Sequence, residues 1–179
     1  MLVIGINAGK KSLIYRCNNI YPPPEIDYDT QDYIRIPLLI NKKEYLLLID
    51  AEDILDISDI SISYTFQVDG IILIFAIDNK ESFDKIKEIK GQITKTNENN
   101  QPPMILVGNK TDLEKERKIS NYEAKNMAQE WGIEYIETSA KNNYNCKEVF
   151  HKIAKLALDY KNKKNKIEKK KQIHHCSIY

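Results

Sequence analysis

Residues 70–78 read GIILIFAID and residues 103–109 read PMILVGN, two unbroken apolar runs of strand length. Such runs are typical of β-strands that are covered on both faces, as in a parallel sheet. Four other segments have strand character, and two of them flank a polar NKK turn, which predicts a hairpin. These four segments are MLVIG (1–5), YIRIPLLI (33–40), EYLLLID (44–50) and IEYIETS (133–139).

Helical patterns separate most of these strands. Ser120 followed by Glu123 resembles a capping box at the start of one of them. Because strands alternate with helices, we expect an α/β domain with a mostly parallel six-stranded sheet, one antiparallel edge strand and helices on both faces. The predicted helices lie near 11–18, 81–95, 120–131 and 145–160, and the Lys/Asn-rich tail from about Lys161 is expected to extend or fray the last of them.

Composition indicates a globular chain with one unusual end. The 179 residues suit one domain, and 42% hydrophobic with 30% charged residues exclude a disordered protein. The net charge is +1, but the stretch KNKKNKIEKKKQ (161–172) holds seven Lys and one Glu. The body is therefore mildly acidic, and only the tail is expected to meet an anionic partner.

The cysteines and the apolar runs indicate the redox compartment of the protein and whether it contains a membrane span. The cysteines have no metal-binding spacing and indicate a reducing compartment. Cys17 and Cys146 are expected to be small buried residues. No run approaches the ~20 apolar residues of a membrane span, and we expect no signal peptide before the first strand.

The segment GINAGKKS (5–12) follows a predicted strand and opens a predicted helix. It matches the phosphate-binding pattern G-x-x-x-x-G-K-[ST] at Gly5, Lys11 and Ser12, whereas Lys10 stands where the second glycine belongs. In such a loop, N–H groups cradle phosphates, the lysine reaches phosphate oxygens and the hydroxyl binds Mg²⁺. Lys10 is either an exposed lysine at the helix start or a residue that distorts the loop. The positions expected around the phosphates are Gly5, Asn7, Ala8, Gly9, Lys10, Lys11 and Ser12.

Two more motifs follow the ends of predicted strands: NKTD at 109–112 and ETSAK at 137–141. A carboxylate at Asp112 can accept two N–H bonds from a guanine edge, which adenine does not offer. With these motifs, the chain resembles the Ras superfamily of small GTPases, and most of all Ras and Rap, over about residues 1–160. The resemblance implies the P-loop NTPase fold of small G proteins and a guanine nucleotide, GTP or GDP, as the ligand.

The resemblance also assigns roles on the base side of the nucleotide. Asp112 would bind the guanine, Asn109 would brace the site, and Lys110 would lie along the base. Ala140 would donate its backbone N–H to the guanine oxygen. The supporting positions on this side are Ser139 and Lys141.

On the phosphate side, the resemblance implies a Mg²⁺ ion. Lys11 would reach the phosphates, and Ser12 would bind the ion. Thr30, 19 residues after Lys11, would be a second metal ligand in the first switch, although it could also be an ordinary loop threonine. Asp50, at the end of the second hairpin strand, would hold the ion through water.

The second switch departs from the family pattern D-x-x-G-Q, because residues 50–54 read DAEDI. Asp53 replaces the glycine whose N–H meets the γ-phosphate, and Ile54 replaces the glutamine that orients the attacking water. Asn7 also stands where the family usually has a glycine. Ile54 cannot position water, and Asp53 either repels the phosphates or points to solvent. We therefore expect slow hydrolysis of GTP and assign no catalytic residue.

The chain ends in Cys176-Ser177-Ile178-Tyr179, the C-a-a-X layout of a prenylation signal, with a bulky last residue that favours geranylgeranyl over farnesyl. A lipid on Cys176 and the nearby lysines would supply the two signals that stable membrane anchoring needs. A chance match of four residues is the alternative. We expect a small GTPase domain at 1–160 and a lipid-anchored tail at 161–179, on the cytoplasmic face of a membrane such as the plasma membrane.

Two functions are compatible with this pattern. The first is a signalling switch that binds GTP and GDP and contacts effectors and regulators through its switch regions. The second is a pseudo-GTPase, an interaction module that binds nucleotide weakly or not at all. The base site favours the first, whereas Lys10, Asp53 and Ile54 favour the second. A metabolic P-loop kinase lacks support, no nucleic-acid partner is expected, and the chain is expected to be a monomer.

Overall fold

The computed structural model describes residues 1–19, 34–52, 68–96 and 101–176. Thr30, Asp53, Ile54 and the last three residues of the tail lie outside these segments. The strands are β1 (Leu2–Ile4), β2 (Ile34–Ile40), β3 (Lys43–Glu52), β4 (Ile71–Ala76), β5 (Met104–Asn109) and β6 (Glu134–Glu137). The helices are α1 (Lys10–Cys17), α2 (Lys80–Thr96), α3 (Asn121–Glu130) and α4 (Cys146–Cys176), with a 3₁₀ helix at Thr111–Glu116.

The six strands form one sheet in the order β2-β3-β1-β4-β5-β6. All neighbouring pairs are parallel except β2 and β3, which form the antiparallel edge. Asn41 and Lys42 make the hairpin turn, with φ of 51° and 64°, and two positive φ angles are typical of the turn that matches strand twist. The predicted α/β fold, with a mostly parallel sheet and one antiparallel edge strand, is confirmed.

Side chains of the central strands alternate between two apolar layers, one on each face of the sheet. Val3, Ile72 and Val107 belong to the layer that includes residues of α1 and α4. Leu2 and Leu73 belong to the opposite layer, with residues of α2 and α3. Helices therefore cover both faces, which explains why the central strands are almost entirely apolar.

Cys17 and Cys146 lie in the layer beneath α1 and α4, as predicted for small buried residues. Burial raises the pKa of each thiol to about 11. The predicted N-cap of α3 is also present, because the Ser120 hydroxyl accepts a hydrogen bond from the backbone N–H of Glu123 at 3.0 Å.

Helix α4 continues beyond 145–160 through the lysine-rich stretch to Cys176, which agrees with the expectation that the tail extends the last helix and does not fray it. Lysine is a good helix former, so a helix that is anchored by its apolar first half can extend into this stretch. Near the change in composition, the Lys161 ammonium lies 3.5 Å from a carboxylate oxygen of Asp69. Within the described segments, no helix has both the length and the apolar character to cross a membrane.

Candidate functional site

The candidate site lies at the carboxyl edge of the parallel strands. Strands β1, β4, β5 and β6 run in the same direction, so the loops that follow them meet at one edge of the sheet. At the end of β1, Ile4 pairs with Leu73 of β4, and at the end of β4, Ala76 pairs with Asn109 of β5. Gly108 of β5 pairs with Glu137, the last residue of β6. This register brings the loop 5–9 and the NKTD and ETSAK motifs to a common edge.

Two glycines allow the loop 5–9 to lie close to the sheet. A Cβ atom at Gly5 would lie 2.1 Å from the backbone oxygen of Ile74, so no side chain fits there. Gly9 has a φ of 75°, and a Cβ atom there would approach the side-chain nitrogen of Asn109 to 3.0 Å. Asn7 also has a positive φ, of 50°, which asparagine tolerates better than most residues. The loop therefore has a tightly constrained path.

Lys10 is a buried part of this loop. Helix α1 begins at Lys10, directly after Gly9, and only 4% of the Lys10 surface is exposed. Its ammonium turns back and donates to the carbonyl of Gly5. The interpretation of Lys10 as an exposed lysine at a helix start is therefore wrong. Lys11 and Ser12, in the same first turn of α1, are half-buried.

Asn109 joins the base side of the site to the phosphate loop. Its side-chain NH₂ donates to the carbonyl of Ala8 at 2.8 Å, and its side-chain oxygen accepts from the Thr138 hydroxyl at 2.9 Å. Ala8 and Thr138 are fully buried, and 1% of Asn109 is exposed. These two bonds hold the end of β5 against the loop on one side and the ETSAK segment on the other.

Asp112 is held in position from the ETSAK segment. The buried Ser139 hydroxyl donates to a carboxylate oxygen of Asp112 at 2.5 Å, and the same hydroxyl accepts from the backbone N–H of Asn142 at 3.1 Å. Ala140, which follows Ser139, is also buried. The carboxylate orientation is thus set by a hydroxyl whose own position is fixed by the backbone.

The remaining base-side residues complete the wall of the site. Lys110 has a φ of 68°, and its ammonium lies 3.7 Å from a carboxylate oxygen of Asp78. Lys141 is exposed, and its carbonyl accepts a hydrogen bond from Arg16 of α1 at 3.1 Å. The sequence did not single out Asp78 or Arg16. The only signal for Asp78 was its position directly after an apolar strand.

A second group that the sequence did not single out supports the ETSAK segment. Arg117 donates to both Glu114 and Glu137, and the Tyr135 hydroxyl donates to Glu137 at 2.9 Å. Burial alone would raise the pKa of Glu137, but hydrogen bonds from Arg117, Asn121 and Tyr135 lower it overall. This network fixes the strand that leads into Ser139.

The structure describes the predicted metal ligands only in part. Thr30 lies outside the described residues. In the β1–β3 register, Asp50 lies opposite Leu2, and Glu52 lies opposite Ile4, the last residue of β1. Asp50 is therefore two residues, or roughly 6–7 Å, behind the point where the phosphate loop begins. The assignments of Ser12, Thr30 and Asp50 to a metal ion stay predictions.

Known proteins are similar to this chain over most of its length. The family model described as the Ras family matches residues 1–159. The protein ras-1 of Neurospora crassa is 33% identical to the chain over 156 residues, which cover 87% of this chain and 73% of the fungal protein.

Proposed function

Because the chain belongs to the Ras family, we propose that it binds GDP and GTP between the loop 5–12 and the base-side motifs, as a Ras-like switch protein. The observation that supports this most strongly is the pairing of Ser139 with Asp112 at the same sheet edge as the phosphate loop. The bond from Asn109 to Ala8 makes the two halves of the site a single unit.

The chemistry of the base side favours guanine. The Asp112 carboxylate accepts hydrogen bonds only, so it suits the ring N–H and amino group of guanine and has no matching pair of donors on adenine. Lys110 supplies an apolar stem to cover the base, and the backbone N–H of Ala140 is the donor proposed for the guanine oxygen. Each group belongs to a loop that is held by buried hydrogen bonds, which favours a preformed pocket.

Replacement of Asp112 by Asn tests this proposal. GTP and GDP should bind the wild type far better than ATP and ADP, and Asp112→Asn should lose guanine affinity by about 10- to 100-fold and gain affinity for xanthine nucleotides. Asp159→Asn, an exposed change on α4, is the matched control and should behave as wild type. Competition against a fluorescent GDP analogue measures all of these, and equal binding of ATP and GTP would refute the assignment.

Slow hydrolysis of GTP is the second part of the proposal. It rests on Ile54, which has no donor or acceptor to orient a water molecule, and on Asp53, which replaces a glycine and would bring a negative charge toward the γ-phosphate. Loss of a positioning group lowers rates by about 10²–10⁴-fold. A pseudo-GTPase is the rival function, and the tandem lysines of the phosphate loop are the feature that favours it.

Membrane association is the third part, and it rests on the tail. Seven lysines between residues 161 and 172 precede Cys176, the proposed prenylation site, and each lysine near an anionic leaflet contributes ~1 kcal/mol. Cys176→Ser should release the protein from membranes in a fractionation experiment, whereas Cys17→Ser, at a buried cysteine, should not. A Cys176→Ser protein that still pellets with membranes would rule out the lipid anchor. On this basis we propose a monomer at the cytoplasmic face of a membrane, with effectors contacting the switch regions.

A further inference from the structure

The phosphate loop can be aligned with its motif in two registers. The sequence contains two adjacent lysines, Lys10 and Lys11, and only the second is followed by a hydroxyl residue, Ser12. If Lys11 is the phosphate-binding lysine, the loop has the usual length but lacks its second glycine. If Lys10 is that lysine, Gly9 supplies the second glycine of the motif. Three residues, instead of the usual four, then separate Gly9 from Gly5.

Three features of the structure favour Lys10. Gly9 adopts the left-handed conformation directly before α1. It therefore occupies the position of the second glycine of the motif, at which the loop turns into the helix. The ammonium of Lys10 points back into the loop and donates to the Gly5 carbonyl, as a side chain does when it lines the inside of the loop. The bond from Asn109 to Ala8 pins the residue before Gly9, so the loop cannot slide by one residue without breaking a buried contact.

This register changes what stands in the metal-binding position. The motif places a Ser or Thr directly after the lysine, where its hydroxyl binds Mg²⁺. Directly after Lys10 the chain has Lys11, which carries three donors and a positive charge and cannot be a metal ligand. Ser12 is one residue further, about 100° around the helix.

We propose that Lys10 is the phosphate-binding lysine and that the ammonium of Lys11 takes the place of Mg²⁺, so that guanine nucleotide binds without a divalent cation. This inference rests on the proposed nucleotide site and specifies its phosphate half. Mg²⁺ needs a nearly octahedral set of oxygen ligands, and a lysine in the first turn of α1 removes one and repels the ion. An ammonium is a compact charge with three donors, so it can bind the oxygens that the ion would otherwise neutralise.

The test is the equilibrium binding of a fluorescent GDP analogue to the full chain, in excess MgCl₂ and in excess EDTA. Wild type should bind equally well in both, within about twofold. Lys11→Ser restores the hydroxyl of the motif, and it should bind about tenfold or more tightly in MgCl₂ than in EDTA. Lys10→Ala should lose about 10- to 100-fold affinity in both media. Lys125→Ser, at an exposed lysine of α3, is the matched control and should leave binding unchanged.

Each outcome decides between the two proposals. If wild type loses most of its affinity in EDTA, Mg²⁺ is bound, and the inference about Lys11 is overturned while the nucleotide site stands. If Lys10→Ala binds like wild type and Lys11→Ser loses affinity in both media, Lys11 is the phosphate-binding lysine, and the inference is overturned. If wild type binds GDP in neither medium while remaining folded by circular dichroism, the nucleotide site itself is refuted and the inference fails with it.

Discussion

Asn109 offers the most direct test of how the site is built into the fold. Replacement by Ala removes the donor to the Ala8 carbonyl and the acceptor for the Thr138 hydroxyl, both of which are fully buried. A buried polar group that loses its partner costs about 1–3 kcal/mol. Because the hydroxyl can rotate toward another acceptor, we expect Asn109→Ala to lower the free energy of unfolding by about 2–4 kcal/mol. For a chain of this size, a 3 kcal/mol loss corresponds to about 6–12 °C in Tm.

Urea denaturation without nucleotide measures this change separately from any effect on binding. Asn162→Ala, at an exposed position of α4, should stay within about 0.5 kcal/mol of wild type. Thr138→Val removes one of the two bonds and keeps the tie to Ala8, so it should lose about 1–2 kcal/mol and retain most GDP affinity. A free energy of unfolding for Asn109→Ala within 0.5 kcal/mol of wild type would show that these hydrogen bonds do not hold the loop, and the reasoning about the site would fail.

Two further predictions concern acid stability and the chemical step. The pKa of Glu137 is lowered in the folded protein, so its hydrogen bonds stabilise the fold above the unfolded pKa of ~4.3 and are lost as the pH falls through the folded value. Arg117→Ala should therefore lower the free energy of unfolding by about 1–3 kcal/mol at pH 7, with a smaller difference from wild type below pH ~4, measured by urea titration. In single-turnover assays, neither Ile54→Gln nor Asp53→Gly alone should restore GTP hydrolysis, whereas the double variant should raise it clearly. Wild-type turnover at the rate of ordinary small GTPases would contradict this.

The fold could be predicted from sequence because its elements follow simple patterns. Residues 70–78 and 103–109 are continuously apolar, and the structure buries β4 and β5 on both faces. The turn after β2 and the capping residue Ser120 were also predicted, since each depends on local chemistry only. For the lysine-rich stretch the sequence left two alternatives, an extended or a frayed last helix, because no apolar periodicity marks this stretch, yet lysine continues a helix readily.

The candidate site could be predicted only in part. NKTD and ETSAK combine a motif with a strand end, so the parallel sheet was enough to bring Asp112 and Ser139 together. The support from Arg117 could not be predicted, because it depends on side chains that are distant in sequence and have no motif. The register of the phosphate loop could not be predicted from the sequence, because each of the two adjacent lysines satisfies part of the pattern. The features that favour Lys10 are the conformation of Gly9, the direction of the Lys10 side chain and the bond from Asn109 to Ala8.

The base and phosphate halves of the site differ in how they depend on the fold. Asn109 and its partners are buried and satisfy one another, so changing them destabilises the folded chain whether or not a nucleotide is bound. Lys11 is half-buried in the first turn of α1, where a change of charge acts mainly on a bound phosphate. The buried Lys10 also contributes to the fold through its bond to the Gly5 carbonyl, so of the two lysines only Lys11 is expected to change binding without a large loss of stability. We therefore expect the free energy of unfolding of Lys11→Ser, measured by urea denaturation without nucleotide, to stay within about 0.5 kcal/mol of wild type. The same variant should make nucleotide binding depend on Mg²⁺.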